Sequence, residues 1–140
     1  MEIILKEKIN SLGLFDKVTM TGLVQNPYDY FFMADICIFP SHKGDGLMGT
    51  VLESMAVGKP VITTVDNGNE DVIVDGENGI LIKSENVEAI INAVKDLIAD
   101  DLKRKTIGEN AQKFIAENLF WEKNCKTLAD ILHEVILRSR

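Results

Sequence analysis

The sequence is poor in several features that mark common classes of protein. Lys and Arg number 15 against 22 Asp and Glu, and the net charge is −7. Binding to nucleic acid is therefore not expected, because it requires clustered basic residues. No apolar run approaches the ~20 residues that cross a bilayer, and the first ten residues carry charges where a secretory signal would be apolar. We expect a cytoplasmic protein without a transmembrane segment, with peripheral contact to the inner face of the membrane left open.

Cysteine is also scarce. Cys37 lies within an apolar run and Cys125 lies on the apolar stripe of a helix, and the two are far apart in the chain. Their spacing does not suit a metal site. We expect two buried, reduced thiols.

The apolar residues alternate between helical and extended spacing along the chain. Short, continuously apolar strands separated by helices indicate an α/β fold with a doubly wound parallel sheet of about four strands and a helical C-terminus. Ligands of such sheets bind beyond the carboxyl ends of the strands. The predicted strands are 18–21, 36–39, 60–64 and 79–82; the predicted helices are 2–12, 28–34 and 50–57, with further helices from 87 to the end and a helical turn at 70–74.

A glycine-rich loop, P-S-H-K-G-D-G-L-M-G-T, lies between the second strand and the next helix. Backbone amides at such a helix N-terminus can hold a diphosphate. Asp45 and Glu53 would be repelled by phosphate and are better suited to accept hydrogen bonds from sugar hydroxyls. Two alternatives remain open. Thr50 to Glu53 reads T-x-x-E, a capping box in which Glu53 bonds the Thr50 amide, and Asp45 can be a turn residue.

The segment P-S-x-x-x-D-G-x-x-x-x-x-L-E-S-M-A-x-G-x-P-V-I, residues 40–62, resembles the donor-binding signature of family-4 retaining glycosyltransferases of the GT-B type. Three more segments resemble that family in the same order: 21–24, 30–36 and 70–79. The resemblance covers about residues 1–120, and this collinearity makes it specific although each motif alone is weak.

The resemblance implies that residues 1–140 are one partial domain, the Rossmann-like C-terminal half of a GT-B enzyme, truncated at its N-terminal end. It implies binding of a UDP- or GDP-sugar and transfer of a hexosyl group to a glycan or lipid-linked acceptor, with no cofactor and no metal required. No residue is assigned to catalysis. By position, the resemblance assigns ribose to Glu53, the base to Leu23 and Val24, and the sugar and diphosphate to Asp45, Gly46, Leu47, Met48, Gly49 and Thr50.

The chain departs from the family pattern in four ways. Asp45 stands where the family has Glu, and Met48 where a glycine is common. The family segment whose Arg and Lys clamp the diphosphate does not precede Val18, and the acceptor-binding domain is missing. We expect the chain alone to be inactive, because loss of such groups costs several kcal/mol of barrier, roughly 3–4 for one donor. The alternative is a non-catalytic binding or interaction module on the same fold.

Overall fold

Three parallel β-strands form the sheet in the order β1-β2-β3. The computed structural model describes residues 2–42, 46–65, 68–119 and 121–138. The strands are β1 (Cys37–Phe39), β2 (Val61–Thr64) and β3 (Ile80–Ile82). The central strand β2 is buried along its whole length, as expected when helices cover both faces of a parallel sheet.

Six α-helices and one 3-10 turn are described around this sheet. Asn86 caps α4 by accepting a hydrogen bond from the Ala89 amide at 2.9 Å, and Asp100 caps α5 by accepting one from the Lys103 amide at 2.9 Å. These two N-caps divide the long helical region into separate helices. Each cap starts a new helix by bonding an amide that has no partner inside that helix. The helices are α1 (Glu2–Ser11), α2 (Tyr28–Met33), α3 (Gly49–Ala56), α4 (Val87–Ala99), α5 (Asp101–Asn118) and α6 (Trp121–Arg138), and the 3-10 turn is Asn69–Asp71.

The core lies on both faces of the sheet. Val61 belongs to one buried cluster, with Met55 of α3 and Ala111 of α5. Its neighbour Ile62 belongs to a second cluster, with Leu97 of α4. Successive side chains of a strand point to opposite faces, so the two clusters are separated by the sheet itself. The predicted doubly wound α/β architecture and helical C-terminus are confirmed.

The predicted strand at 18–21 is wrong. Those residues form no strand, and Val18 and Met20 are 40% and 38% exposed. A strand requires a neighbour to pair with its backbone and cover its side chains, and the described residues supply none. The sheet therefore has three strands among the described residues instead of about four.

Cys125 is exposed, which corrects the prediction of two buried thiols, whereas Cys37 is buried as expected. The reason is that nothing among the described residues covers α6. Its large apolar side chains are all more than half exposed: Trp121, Leu128, Ile131, Leu132, Val135, Ile136 and Leu137. In the part of the chain that the structure describes, no helix is long and apolar enough to cross a membrane. The cytoplasmic location stays a prediction.

Candidate functional site

The segments that follow the three strands meet at the carboxyl edge of the sheet. Gly68, after β2, has the left-handed φ of 76°. It lies so close to Leu47 that a Cβ at position 68 would be 3.7 Å from the Leu47 amide nitrogen. His42, after β1, and Glu85, after β3, form an exposed ion pair whose Nδ1 and Oε1 are 3.6 Å apart. This is the edge where the sequence predicts the site.

Helix α3 presents its N-terminus at that edge. Met48 is its N-cap, with extended backbone, and the helix begins at Gly49. A helix leaves the amides of its first residues without an acceptor inside the helix and carries a partial positive charge there. A Cβ added at Gly46 or Gly49 would meet nothing within 4 Å. The amides of Gly49 and Thr50 have no hydrogen-bond acceptor among the described residues and are therefore candidates for binding a ligand.

Glu53 lies in the second turn of α3 and is half-buried. The capping-box interpretation is wrong, because Met48 and not Thr50 is the N-cap. Thr50 lies inside the helix, where its carbonyl oxygen accepts a hydrogen bond from the Ser54 hydroxyl at 2.8 Å. Within the described ranges, the carboxylate of Glu53 has no hydrogen-bond or ion-pair partner. It is available to an external donor.

The structure gives less information on the other predicted site residues. Asp45 lies outside the described residues. Met48, which stands where the family commonly has glycine, accepts a hydrogen bond on its Sδ from the Ser41 hydroxyl at 3.1 Å. Leu23 is fully exposed and Val24 is half-buried; their contact with a base stays a prediction.

Five cavities lined by described residues lie away from this edge. One of about 540 Å³ is lined by residues of α5 and by Ala56 at the opposite end of α3. Another, about 300 Å³, lies between Lys6, Phe15 and Met20. None of these five cavities is lined by residues of the candidate site. No group of three or more metal-ligating side chains occurs among the described residues.

A buried polar cluster below the site was not predicted from the sequence. Thr63, Thr64 and Asn69 are each at most 1% exposed, and they are linked by hydrogen bonds to one another and to the residues that follow β1. The only sequence signal is the presence of two threonines at the end of an otherwise apolar strand. Oδ1 of Asn69 is buried and has no hydrogen-bond partner among the described residues.

Relatives and solved structures support the fold and the family. An uncharacterized glycosyltransferase of Methanocaldococcus jannaschii is 38% identical over 103 residues, 74% of this chain and 26% of its own length. A GDP-mannose-dependent alpha-(1-6)-phosphatidylinositol monomannoside mannosyltransferase of Mycolicibacterium smegmatis is 32% identical over 136 residues, 91% of this chain and 36% of its own length. The chain thus spans about a quarter to a third of the length of the curated relatives it matches.

Anabaena HepE in complex with UDP has the same fold over 93% of this chain and 36% of its own, with a TM-score of 0.89 and 24% identity. The C-terminal domain of a glycosyl transferase group 1 family protein of Francisella tularensis covers 86% of this chain and 63% of its own, with a TM-score of 0.77 and 26% identity. The family model described as glycosyl transferases group 1 matches residues 3–114. The chain belongs to the group 1 family of glycosyl transferases, whose fold is of the GT-B type.

Proposed function

We propose that this chain is a partial, C-terminal GT-B domain that binds a UDP- or GDP-sugar at the N-terminus of α3. In a complete retaining enzyme it would supply the donor site for transfer of a hexosyl group to a glycan or lipid-linked acceptor. One observation carries the proposal: the amides of Gly49 and Thr50 and the carboxylate of Glu53, which have no hydrogen-bond partner among the described residues, lie on the same short helix.

The spacing of these two features suits a nucleotide diphosphate. At about 1.5 Å of rise per residue, Glu53 lies about 6 Å along the helix axis from Gly49. The helix N-terminus attracts the diphosphate, whereas the carboxylate would repel phosphate and accept hydrogen bonds from ribose hydroxyls. Charge thus orients the nucleotide in one direction along α3. As the sequence leads us to expect, we propose that binding needs no metal ion.

The relatives support this class of donor. The Anabaena protein has been solved with UDP and with UDP-glucose, and the Mycolicibacterium relative is named as GDP-mannose-dependent. These names cover both uridine and guanosine nucleotides, so the base and the sugar are left open in the proposal.

The proposed partner is an acceptor-binding domain. The relatives matched are about three times as long as this chain, and the apolar face of α6 is uncovered among the described residues. We expect turnover only together with such a domain, because it would supply the binding site for the acceptor. The groups that stabilise the departing diphosphate would come from that domain or from the segment that joins it to this chain.

The second candidate function is binding without turnover. Residues 44–49 also read G-x-G-x-x-G between β1 and α3, a spacing typical of turns that bind the pyrophosphate of dinucleotides. A non-catalytic module could use the same amides for a ligand of that kind. NAD is therefore the appropriate competing ligand in a binding test.

Titration of the chain with UDP, GDP and NAD by calorimetry and by protein-observed NMR tests the proposal. We expect UDP or GDP to bind, with amide shifts at Gly49 and Thr50, and NAD to bind more weakly. Absence of binding by both UDP and GDP at about 1 mM, equivalent to less than about 4 kcal/mol of binding free energy, would refute the donor site. Preferential binding of NAD would favour the second candidate.

A further inference from the structure

Asn69 joins the end of β2 to the segment that follows it. Its side-chain nitrogen donates to Oγ1 of Thr63 at 3.1 Å and to the carbonyl oxygen of Thr64 at 2.8 Å. A carbonyl oxygen can only accept, so the group that faces Thr64 must be the NH₂ group, and the orientation of the amide is thereby determined. All three residues are buried, where hydrogen bonds of this kind are shielded from water.

The hydroxyls of the two threonines extend this connection to β1. Oγ1 of Thr63 donates to the carbonyl oxygen of Phe39 at 3.0 Å, and Oγ1 of Thr64 donates to that of Ser41 at 3.0 Å. The second bond lies beyond the last residue of the β1 ladder. Thr64 therefore fixes the chain at Ser41, which lies beyond the last residue of β1 that pairs with β2.

From Ser41 the connection reaches the start of α3. The Ser41 hydroxyl donates to Sδ of Met48, the N-cap of that helix, at 3.1 Å. On the other side, Gly68, the neighbour of Asn69 in the chain, lies against Leu47. Residues 46–48 are thus held from β1 through Ser41 and from β2 through Gly68.

We propose that Thr64 and Asn69 are positioning residues for the ligand-binding loop. They hold residues 46–48 so that the first amides of α3 converge on one anion. The identity of that anion as a nucleotide diphosphate rests on the proposed function; the positioning of the loop does not.

Packing alone does not account for these polar residues. A valine at position 64 would fill nearly the same volume, and a buried hydroxyl contributes to stability only when it is hydrogen-bonded. The hydroxyl adds a directional hydrogen bond, which joins β2 to one particular carbonyl group after β1.

The pair of variants Thr64→Val and Thr64→Ser separates the two roles. Thr64→Val keeps the volume and loses the hydroxyl, whereas Thr64→Ser keeps the hydroxyl and loses a methyl group. NMR order parameters of the backbone amides at residues 47–50 are measured first in the ligand-free chain, followed by titration with UDP and GDP. We expect Thr64→Val to lower the order parameters at those residues and to bind the nucleotide about 2–10-fold more weakly, as loss of one hydrogen bond predicts. Thr64→Ser is expected to behave like the unaltered chain.

The matched control is Asn78→Ala. Asn78 is also a buried asparagine with two side-chain hydrogen bonds, to the Val74 amide and the Val72 carbonyl group. It should lower overall stability and leave the order parameters at residues 47–50 unchanged. Ser41→Ala is a second variant with little risk to folding, because Ser41 is only half-buried; it should also lower the order parameters at those residues.

The outcomes distinguish the two proposals. Order parameters at residues 47–50 that are unchanged in Thr64→Val and in Ser41→Ala overturn the positioning role. Equal effects of Thr64→Val and Thr64→Ser, or a decrease spread evenly over the whole chain, also overturn it, because neither would be specific to the hydroxyl and the loop. If the unaltered chain binds neither UDP nor GDP, the proposed function fails, and the comparison of order parameters still decides the positioning role.

Discussion

Gly108 of α5 lies directly against the carbonyl group of Gly58, in the turn that ends α3. A Cβ at position 108 would collide with the Gly58 carbonyl oxygen and lie 3.1 Å from its carbon. Gly58 itself has a left-handed φ of 74°, so the turn is held in a conformation that favours glycine. This backbone contact sets how closely α5 packs on the helix that presents the candidate site.

The first prediction is that Gly108→Ala destabilises the protein. Alanine in place of glycine usually stabilises a helix interior by about 1 kcal/mol. Here the added methyl group meets backbone that cannot rotate away, and we expect a loss of about 1–3 kcal/mol in the free energy of unfolding, measured by urea denaturation. Gly49→Ala is the control, because a Cβ there meets nothing within 4 Å. Equal stability of Gly108→Ala and the unaltered chain would contradict the contact.

The second prediction separates a ligand role for Glu53 from a structural one. Glu53→Gln should weaken UDP or GDP binding by about 5–10-fold, because a hydrogen bond to a charged acceptor, worth roughly 1.5–3 kcal/mol, is replaced by one to a neutral acceptor, worth roughly 0.5–1.5 kcal/mol. The midpoint of thermal unfolding should hardly change, since the carboxylate has no partner among the described residues. Glu109→Gln, an exposed glutamate on α5, is the charge-matched control. A large loss of stability in Glu53→Gln with unaltered affinity would count against the ribose-binding role.

The third prediction concerns the different reactivity of the two thiols. Burial raises the pKa of Cys37, and hydrogen bonding by Ser54 and the positive charge of Lys59 oppose this shift only in part. The folded state therefore keeps the thiol proton to higher pH than the unfolded chain does. The stability that depends on the neutral thiol is complete below its ordinary pKa and is lost as pH rises through the raised value.

Iodoacetamide at about pH 8, near the ordinary pKa of a thiol, should therefore modify exposed Cys125 quickly and Cys37 only on unfolding. Mass spectrometry of the intact chain counts the adducts. In Cys125→Ser, the folded protein should remain unmodified over the same period. Rapid modification of Cys37 in that variant would contradict the burial of its thiol.

The fourth prediction compares two leucines on different helices. Leu97 of α4 is fully buried, whereas Leu128 of α6 is 57% exposed. Leu97→Ala should cost about 2–5 kcal/mol in the free energy of unfolding, and Leu128→Ala no more than about 0.5 kcal/mol. Both are measured by urea denaturation of the isolated chain. A large cost for Leu128→Ala would mean that α6 is covered in solution, and sedimentation would then show whether a second copy covers it.

Much of the fold follows from local patterns. The predicted strands 36–39, 60–64 and 79–82 agree with β1, β2 and β3 to within a residue at each end, and the predicted helix 50–57 agrees with α3. These elements have continuously apolar sequences or a clear apolar stripe, and such patterns depend on residues that are close together in the chain.

Other features depend on neighbours that a local pattern does not reveal. Residues 18–21 alternate apolar and threonine side chains as a strand does, yet no described strand pairs with them. Cys125 lies on a regular apolar stripe, yet nothing described covers it. Apolar composition shows that a surface can be buried, but only the tertiary structure decides whether something buries it.

The glycine-rich loop shows the same difference between what the sequence indicates and what the tertiary structure decides. The residues of the loop indicate the family and predict the candidate site at the carboxyl edge of the sheet. They do not determine where α3 begins. T-x-x-E suggests a start at Thr50, whereas the helix starts at Gly49 behind an extended Met48. Next to that start, Met48 is bonded to Ser41 and Leu47 lies close to Gly68, and these two residues follow two different strands. Contacts of this kind join distant parts of the chain, so the tertiary structure and not the local pattern shows that Glu53 has no partner among the described residues.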